Sequence, residues 1–172
     1  MAILTTDVDT FLSGGASNSD PNASLGGIRS TTTELNPVVS EENLFANVDG
    51  DEASAGSVKF RGLYYENGHA SLTLEATTIW ISTTTPSTDT VIAMALADEG
   101  LNATMEGPLA NEDTVPATVS FTSPATKAGG LVMGNVPTLQ HFGFWIRRTV
   151  TAAASAFNDD DWAYTIEGDT AA

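Results

Sequence analysis

The sequence predicts an all-β protein: an antiparallel β-sandwich of the jelly-roll or immunoglobulin-like kind with a long irregular N-terminal arm. Apolar residues recur with period two in about seven short runs, and clusters of Gly, Pro, Asn and Asp separate those runs. No segment sustains the 3.6-residue period of an amphipathic helix. At 172 residues the chain is one ordinary domain, which at this size buries roughly 70% of the surface its unfolded form exposes. It reads as an arm or loop region over 1–56, packed on or extending from a sandwich over 57–172.

The first segment carries SGGASNSDPNASLGG and STTTELNP, both dense in turn formers. Apolar anchors recur along it at Ile3-Leu4, Phe11-Leu12 and Leu44-Phe45, which favours a placed arm over a floppy leader. From Ser57 the pattern changes. In VKFRGLYYE, Val58, Phe60 and Tyr64 alternate with Lys59, Arg61, Leu63 and Tyr65; in HASLTLEATTIWIS, Ala70, Leu72 and Leu74 alternate with polar residues. Asn67-Gly68 between them predicts a hairpin turn, with an exposed His69 at its tip. Ile79 and Ile81 fall out of phase with Leu72 and Leu74, which predicts a bulge near Ala76.

After TTTPSTD, VIAMALA places Ile92, Met94 and Leu96 opposite Val91, Ala93 and Ala95, the pattern of a buried strand. A long loop, the run ATVSFTS and a short apolar run at Leu131 to Met133 lead to two aromatic strands expected to close as a hairpin. On the first, Phe142, Phe144, Ile146 and Val150 share one face and His141, Trp145, Arg147 and Thr149 the other, so both faces read as occupied. On the second, Trp162, Tyr164 and Ile166 point to a core and Ala163, Thr165 and Glu167 away from it.

With 22 acidic against 6 basic residues, the formal net charge is −16, which disfavours contact with nucleic-acid phosphates. The acids fall in small groups (Glu41-Glu42, Asp49 to Glu52, Asp98-Glu99, Glu112-Asp113, Asp159 to Asp161) that read as solvated loops. There is no cysteine, hence neither a disulfide framework nor a thiolate metal site. MAILTTDVDTF lacks the basic start and apolar stretch of a secretory signal, and no run approaches the ~20 apolar residues of a helical span. No membrane association is expected.

The histidines are His69 and His141, with no G-x-S-x-G turn and no phosphate-binding glycine loop, so no enzymatic activity is expected. Asp159 to Asp161 after Asn158, and Asp49, Asp51 and Glu52, offer hard oxygen ligands but not the full calcium-loop pattern with its bidentate Glu. They read as solvated turns, and no cofactor or metal is expected. Alternation sends Arg147 outward beside Trp145 and leaves Arg148 at the rim of the core face. An internal ion pair with a carboxylate and a contact to a neighbouring subunit stand open for both. The partner-contact candidates are the outward Trp145, Arg147, Leu63 and Tyr65, together with Phe11 and Leu12 of the arm.

The phrases LSGGASNSDPNASLGG, HASLTLEATTIWIS, FWIRRTV and AFNDDDWAYTIEGDT resemble a group of small virion structural proteins of tailed bacteriophages and prophages, over Leu12 to Thr170. The resemblance implies a β-sandwich subunit of the virion, made in the host cytoplasm, and above all a decoration (cement) protein of the capsid surface. It would contact the major capsid protein or other virion proteins as a homo-oligomer, with a trimer as the number to test. No functional residue is carried over from that group. A neck or tail component is the alternative within the virion. A host-surface or carbohydrate-binding module, with Trp80 or Trp145 stacking on sugar rings, is the alternative outside it.

Overall fold

The computed structural model describes residues 2–32, 34–35, 44–157 and 160–170. Among these residues seven strands form, β1 (Val8–Leu12), β2 (Ser57–Asn67), β3 (Leu74–Thr83), β4 (Thr90–Leu101), β5 (Leu131–Val136), β6 (His141–Val150) and β7 (Ala163–Thr170), with one short α-helix, α1 (Gly50–Ala55), and three single 3-10 turns. They make two antiparallel sheets, one of four strands in the order β1-β2-β6-β4 and one of three in the order β5-β3-β7.

From β3 onward every strand lies in the sheet opposite its predecessor. This corrects both expected hairpins. Asn67-Gly68 is a crossing turn from one sheet to the other, fixed by the Asn67 side chain, which donates to the Leu72 and Val136 carbonyls at 2.8 and 2.9 Å. His69 is buried there, its Nδ1 accepting from the Ser71 and Leu72 amides, so the expected exposed tip does not exist. β6 and β7 likewise part company, β6 pairing β2 and β4 and β7 pairing β3. The predicted bulge is present: the β3 registers shift around Ala76, which sits at φ 50. ATVSFTS contributes a single bridge, Met94 to Thr122, against the outer edge of β4.

Period-two alternation sorts side chains between two cores on either side of the four-stranded sheet. Between the sheets, Leu12, Leu63, Tyr65, Ile92, Met94, Phe144 and Ile146 meet Leu74, Ile79, Ile81, Met133 and Val136. Tyr164, Ile166 and Trp162 pack against this cluster, as the alternation predicts for that strand. On the other side of the same sheet, Phe11, Phe60, Tyr64, Ala95, Ala97, Met105, Leu109 and Trp145 form a second core. Part of the segment read as an arm is thereby built into the sandwich, since β1 pairs with β2 and the following loop lies over this second core.

Candidate functional site

Of the six residues singled out as partner contacts, Arg147 is half-buried and the other five belong to the chain's own interior. Trp145, Leu63 and Tyr65 have no exposed surface, Leu12 is 1% and Phe11 8% exposed. The alternation that makes Trp145 outward is correct, because it shares a face with Gly62, its partner across β2 and β6. Leu63 and Tyr65 belong to the opposite, inter-sheet face with Phe144 and Ile146. What lies over Trp145 is not another molecule but two loops, residues 13–30 and 102–122.

These loops are stitched to the sheet through backbone approaches that glycine permits. Gly62 donates to the Ser24 carbonyl at 2.8 Å, and its own carbonyl accepts from Ser13 Oγ and Ser24 Oγ at 2.7 and 2.6 Å. Gly26 crosses the Trp145 ring at φ +88; a Cβ there would overlap the Glu106 carbonyl oxygen and stand 2.6 Å from Trp145 Cη2. Tyr64 ties the loops together, its hydroxyl donating to the Gly27 carbonyl at 2.6 Å and accepting from the Met105 amide at 2.7 Å. A legible signal of this layer is glycine inside a strand, which marks a close backbone approach.

The two arginines make different contacts, both within the chain. Arg148 makes the internal pair, with Glu52 at 3.5 Å and the Ala46 carbonyl at 2.6 Å, and lies over the Phe45 ring. Arg147 is half-buried with its guanidinium 5.1 Å from the Phe121 ring centroid, a cation–π contact within the chain. A larger network surrounds Arg148. The fully buried Arg61 donates to Glu112 Oε2 at 2.6 Å, to Asn22 Oδ1 at 3.0 Å and to the Leu44 and Phe60 carbonyls, and it too lies over Phe45. Lys59 pairs with both Glu112 and Glu52. Burial alone would raise Glu112, but the hydrogen bonds from Lys59 and Arg61 pull it below the ordinary carboxylate value. Burial likewise works against the Lys59 charge, and the bonds to Glu112 and Glu52 outweigh it, raising that ammonium.

At the other end of β2, Asp9 and Glu66 face each other across β1 and β2. Asp9 is raised by burial and by the charges of Glu34 and Asp7. Glu66 is raised by burial, with Arg29, 2.9 Å away, opposing and Asp9 adding. A carboxyl whose folded pKa exceeds its unfolded one penalises the native state above that pKa, and the penalty vanishes as pH falls through it. Asp9→Asn is therefore expected to stabilise the protein at pH 7 by about 0.5 kcal/mol, the scale of a cross-strand like-charge pair. Urea midpoints from pH 7 down to pH 5 are expected to rise less steeply for the variant than for the parent; identical slopes would contradict this.

No group of three or more metal-ligating side chains is present among the described residues. Asp49 caps α1, accepting from the Glu52 amide at 2.8 Å, while Glu41, Glu42, Asn158 and Asp159 lie outside the described residues. His141 packs edge-on to Tyr64 with ring centroids 5.1 Å apart; burial and the nearby Arg29 lower its pKa, partly offset by a hydrogen bond to the Ala103 backbone. A groove of about 340 Å³ between β3 and β4, lined by Ile81, Thr85, Pro86, Ser87, Val91 and Ile92 among others, contains no titratable side chain. No helix of the described residues is long and apolar enough to cross a membrane.

The remaining site is the outer face of the three-stranded sheet. Trp80 alternates with the buried Ile79 and Ile81 and so points away from the core, half-buried beside Thr165. Val132, Thr78 and Glu167 form the adjoining row across β5, β3 and β7. Of the two tryptophans weighed as outward, only Trp80 reaches a face of this kind. Comparison with known proteins returns no matching family model, no similar curated protein and no similar solved structure.

Proposed function

We propose that this protein is a non-enzymatic bacteriophage virion structural protein, a capsid decoration subunit that stabilises the head by burying surface between capsid subunits. The observation that carries the proposal is an asymmetry between the sheets. The four-stranded sheet has its outer face closed by the chain's own loops over Trp145, whereas the three-stranded sheet presents Trp80 and a 66% exposed Val132. A decoration subunit needs a rigid body and one open face, because its effect is the surface that must be re-exposed when the shell comes apart, multiplied around the lattice.

Polar chemistry supports the same reading. The buried Arg61 and Arg148 are committed to carboxylates and carbonyls, His69 accepts backbone amides, and the ring of His141 packs on Tyr64. No nucleophile with an adjacent base is assembled among these groups. The finer fold assignment, jelly-roll or immunoglobulin-like, belongs to the proposal, supported by the alternation of successive strands between sheets. So do a homo-oligomeric state and the neighbour-contacting role of the N-terminal segment. The test is co-sedimentation of the intact chain with emptied phage heads. Truncation is unsuitable, since removing residues 1–40 would also remove β1 and the loop over Trp145. Saturation at one or more copies per capsomer is expected, whereas saturation at a few copies per particle would assign the protein to the neck or tail.

A further inference from the structure

The open sheet face has a definite charge pattern. Val132, Thr78 and Glu167 form one row across it, Trp80 and Thr165 the next, and Glu75 lies opposite Asp169 beyond the bulge. Lys127 reaches Glu167 across this face at 2.6 Å, and the turn at Gly130 packs on Thr78, which is buried; the pair itself is 42% and 53% exposed and Val132 is 66% exposed, so the face stays open on either side of that turn. Around one tryptophan and one exposed valine stand three carboxylates against a single ammonium.

Basic side chains elsewhere in the fold do not change this balance. Arg29 is held by Glu66, Lys59 and Arg61 by Glu112, Arg148 by Glu52, and Arg147 lies over Phe121. We infer that the outer face of the three-stranded sheet docks a basic polypeptide segment, whose apolar residues cover Trp80 and Val132 while its lysines or arginines pair with Glu75, Glu167 and Asp169. A second copy of this chain is disfavoured, because two such faces would oppose like charges. A glycan would stack on Trp80 but leave the carboxylates unanswered and Val132 in contact with hydroxyls.

The inference rests on the docking function proposed above and names its surface and partner chemistry. Val132→Asp and the double charge reversal Glu167→Lys with Asp169→Lys are each expected to weaken binding to emptied heads about tenfold or more, the scale of one interface anchor. Val115→Asp makes the same change as Val132→Asp at a 65% exposed site in the other loop layer and is expected to leave binding within about twofold. Heads that bind all variants alike would overturn the surface while leaving the head reading in place. A backbone NMR titration with a lysine- and leucine-containing peptide tests the face without heads. Shifts concentrated at Trp80, Val132 and Thr165 support it even if heads fail to bind, which would sink the head reading alone. Shifts spread evenly over the acidic surface, or glycan-array binding abolished by Trp80→Ala, would overturn it.

Discussion

Replacing Trp145 by alanine is expected to cost about 4 kcal/mol of folding free energy, within the range for emptying a fully buried tryptophan site. The ring is the floor on which two loops rest, touching the Gly26 backbone on one side and packing with Phe60, Tyr64, Met105 and Leu109 around it. Those loops cannot collapse into the cavity, because Gly62, Ser13 and Ser24 hold them to the strand at fixed hydrogen-bond distances. The cavity term therefore adds to the lost transfer energy. Gly26→Ala attacks the same contact from above and is expected to destabilise by about 2 kcal/mol through overpacking and a positive φ. Urea denaturation gives both numbers, and hydrogen exchange should show loops 13–30 and 102–122 losing protection before the strands do. A Trp145→Ala protein with parental stability but lost partner binding would mean the ring is a docking anchor after all.

The second large effect is expected at Arg61. Its guanidinium has no exposed surface and serves Glu112, Asn22 and two main-chain carbonyls at once, so Arg61→Ala strands several buried acceptors and is expected to cost about 3 kcal/mol. Glu112→Gln should cost less, because its side chain is 32% exposed and water can take over part of its role. The double variant should recover some of the loss, the coupling a direct pair requires. The pH window follows from the two directions. Glu112 lies below its ordinary value, so its contribution is present above the ordinary carboxylate range and is lost as pH falls through its depressed folded value. Lys59 lies above its ordinary value, so its share is present below the ordinary ammonium range and is lost as pH rises through its raised folded value. Equal costs for Arg61→Ala at pH 7 and well below pH 4 would contradict the assignment.

Strand positions were legible because burial on a sheet writes a period of two into the chain. VIAMALA, HFGFWIRRTV and AYTIEGDT fall within β4, β6 and β7, and the phase slip between Leu74 and Ile79 marks a real bulge. Which strand meets which was not legible. Asn67-Gly68 encodes a tight turn, and a tight turn serves a hairpin or a sheet crossing equally; the Asn67 bond to Val136, 69 positions away, decides the matter and has no local signature. The same limit explains the misplaced contact residues. Alternation correctly put Trp145 and Phe144 on opposite faces, but one face of a sheet reads the same whether a partner or a distant loop covers it. Gly62 within β2 and Gly26 in the first loop were the available hints, since a Cβ on Gly26 would overlap a carbonyl oxygen and one on Gly62 would stand only 3.0 Å from the Gly26 nitrogen. Trp80 was visible as an outward aromatic from the buried isoleucines either side of it.

The most direct test of the proposed role is an electron cryo-microscopy reconstruction of phage heads saturated with this protein. The account expects sandwich-shaped density over the junctions between capsid subunits, with the three-stranded sheet turned toward the shell and the Trp145 layer away from it. A shell without such density, with the protein confined to the neck or tail or missing from the particle, would contradict it.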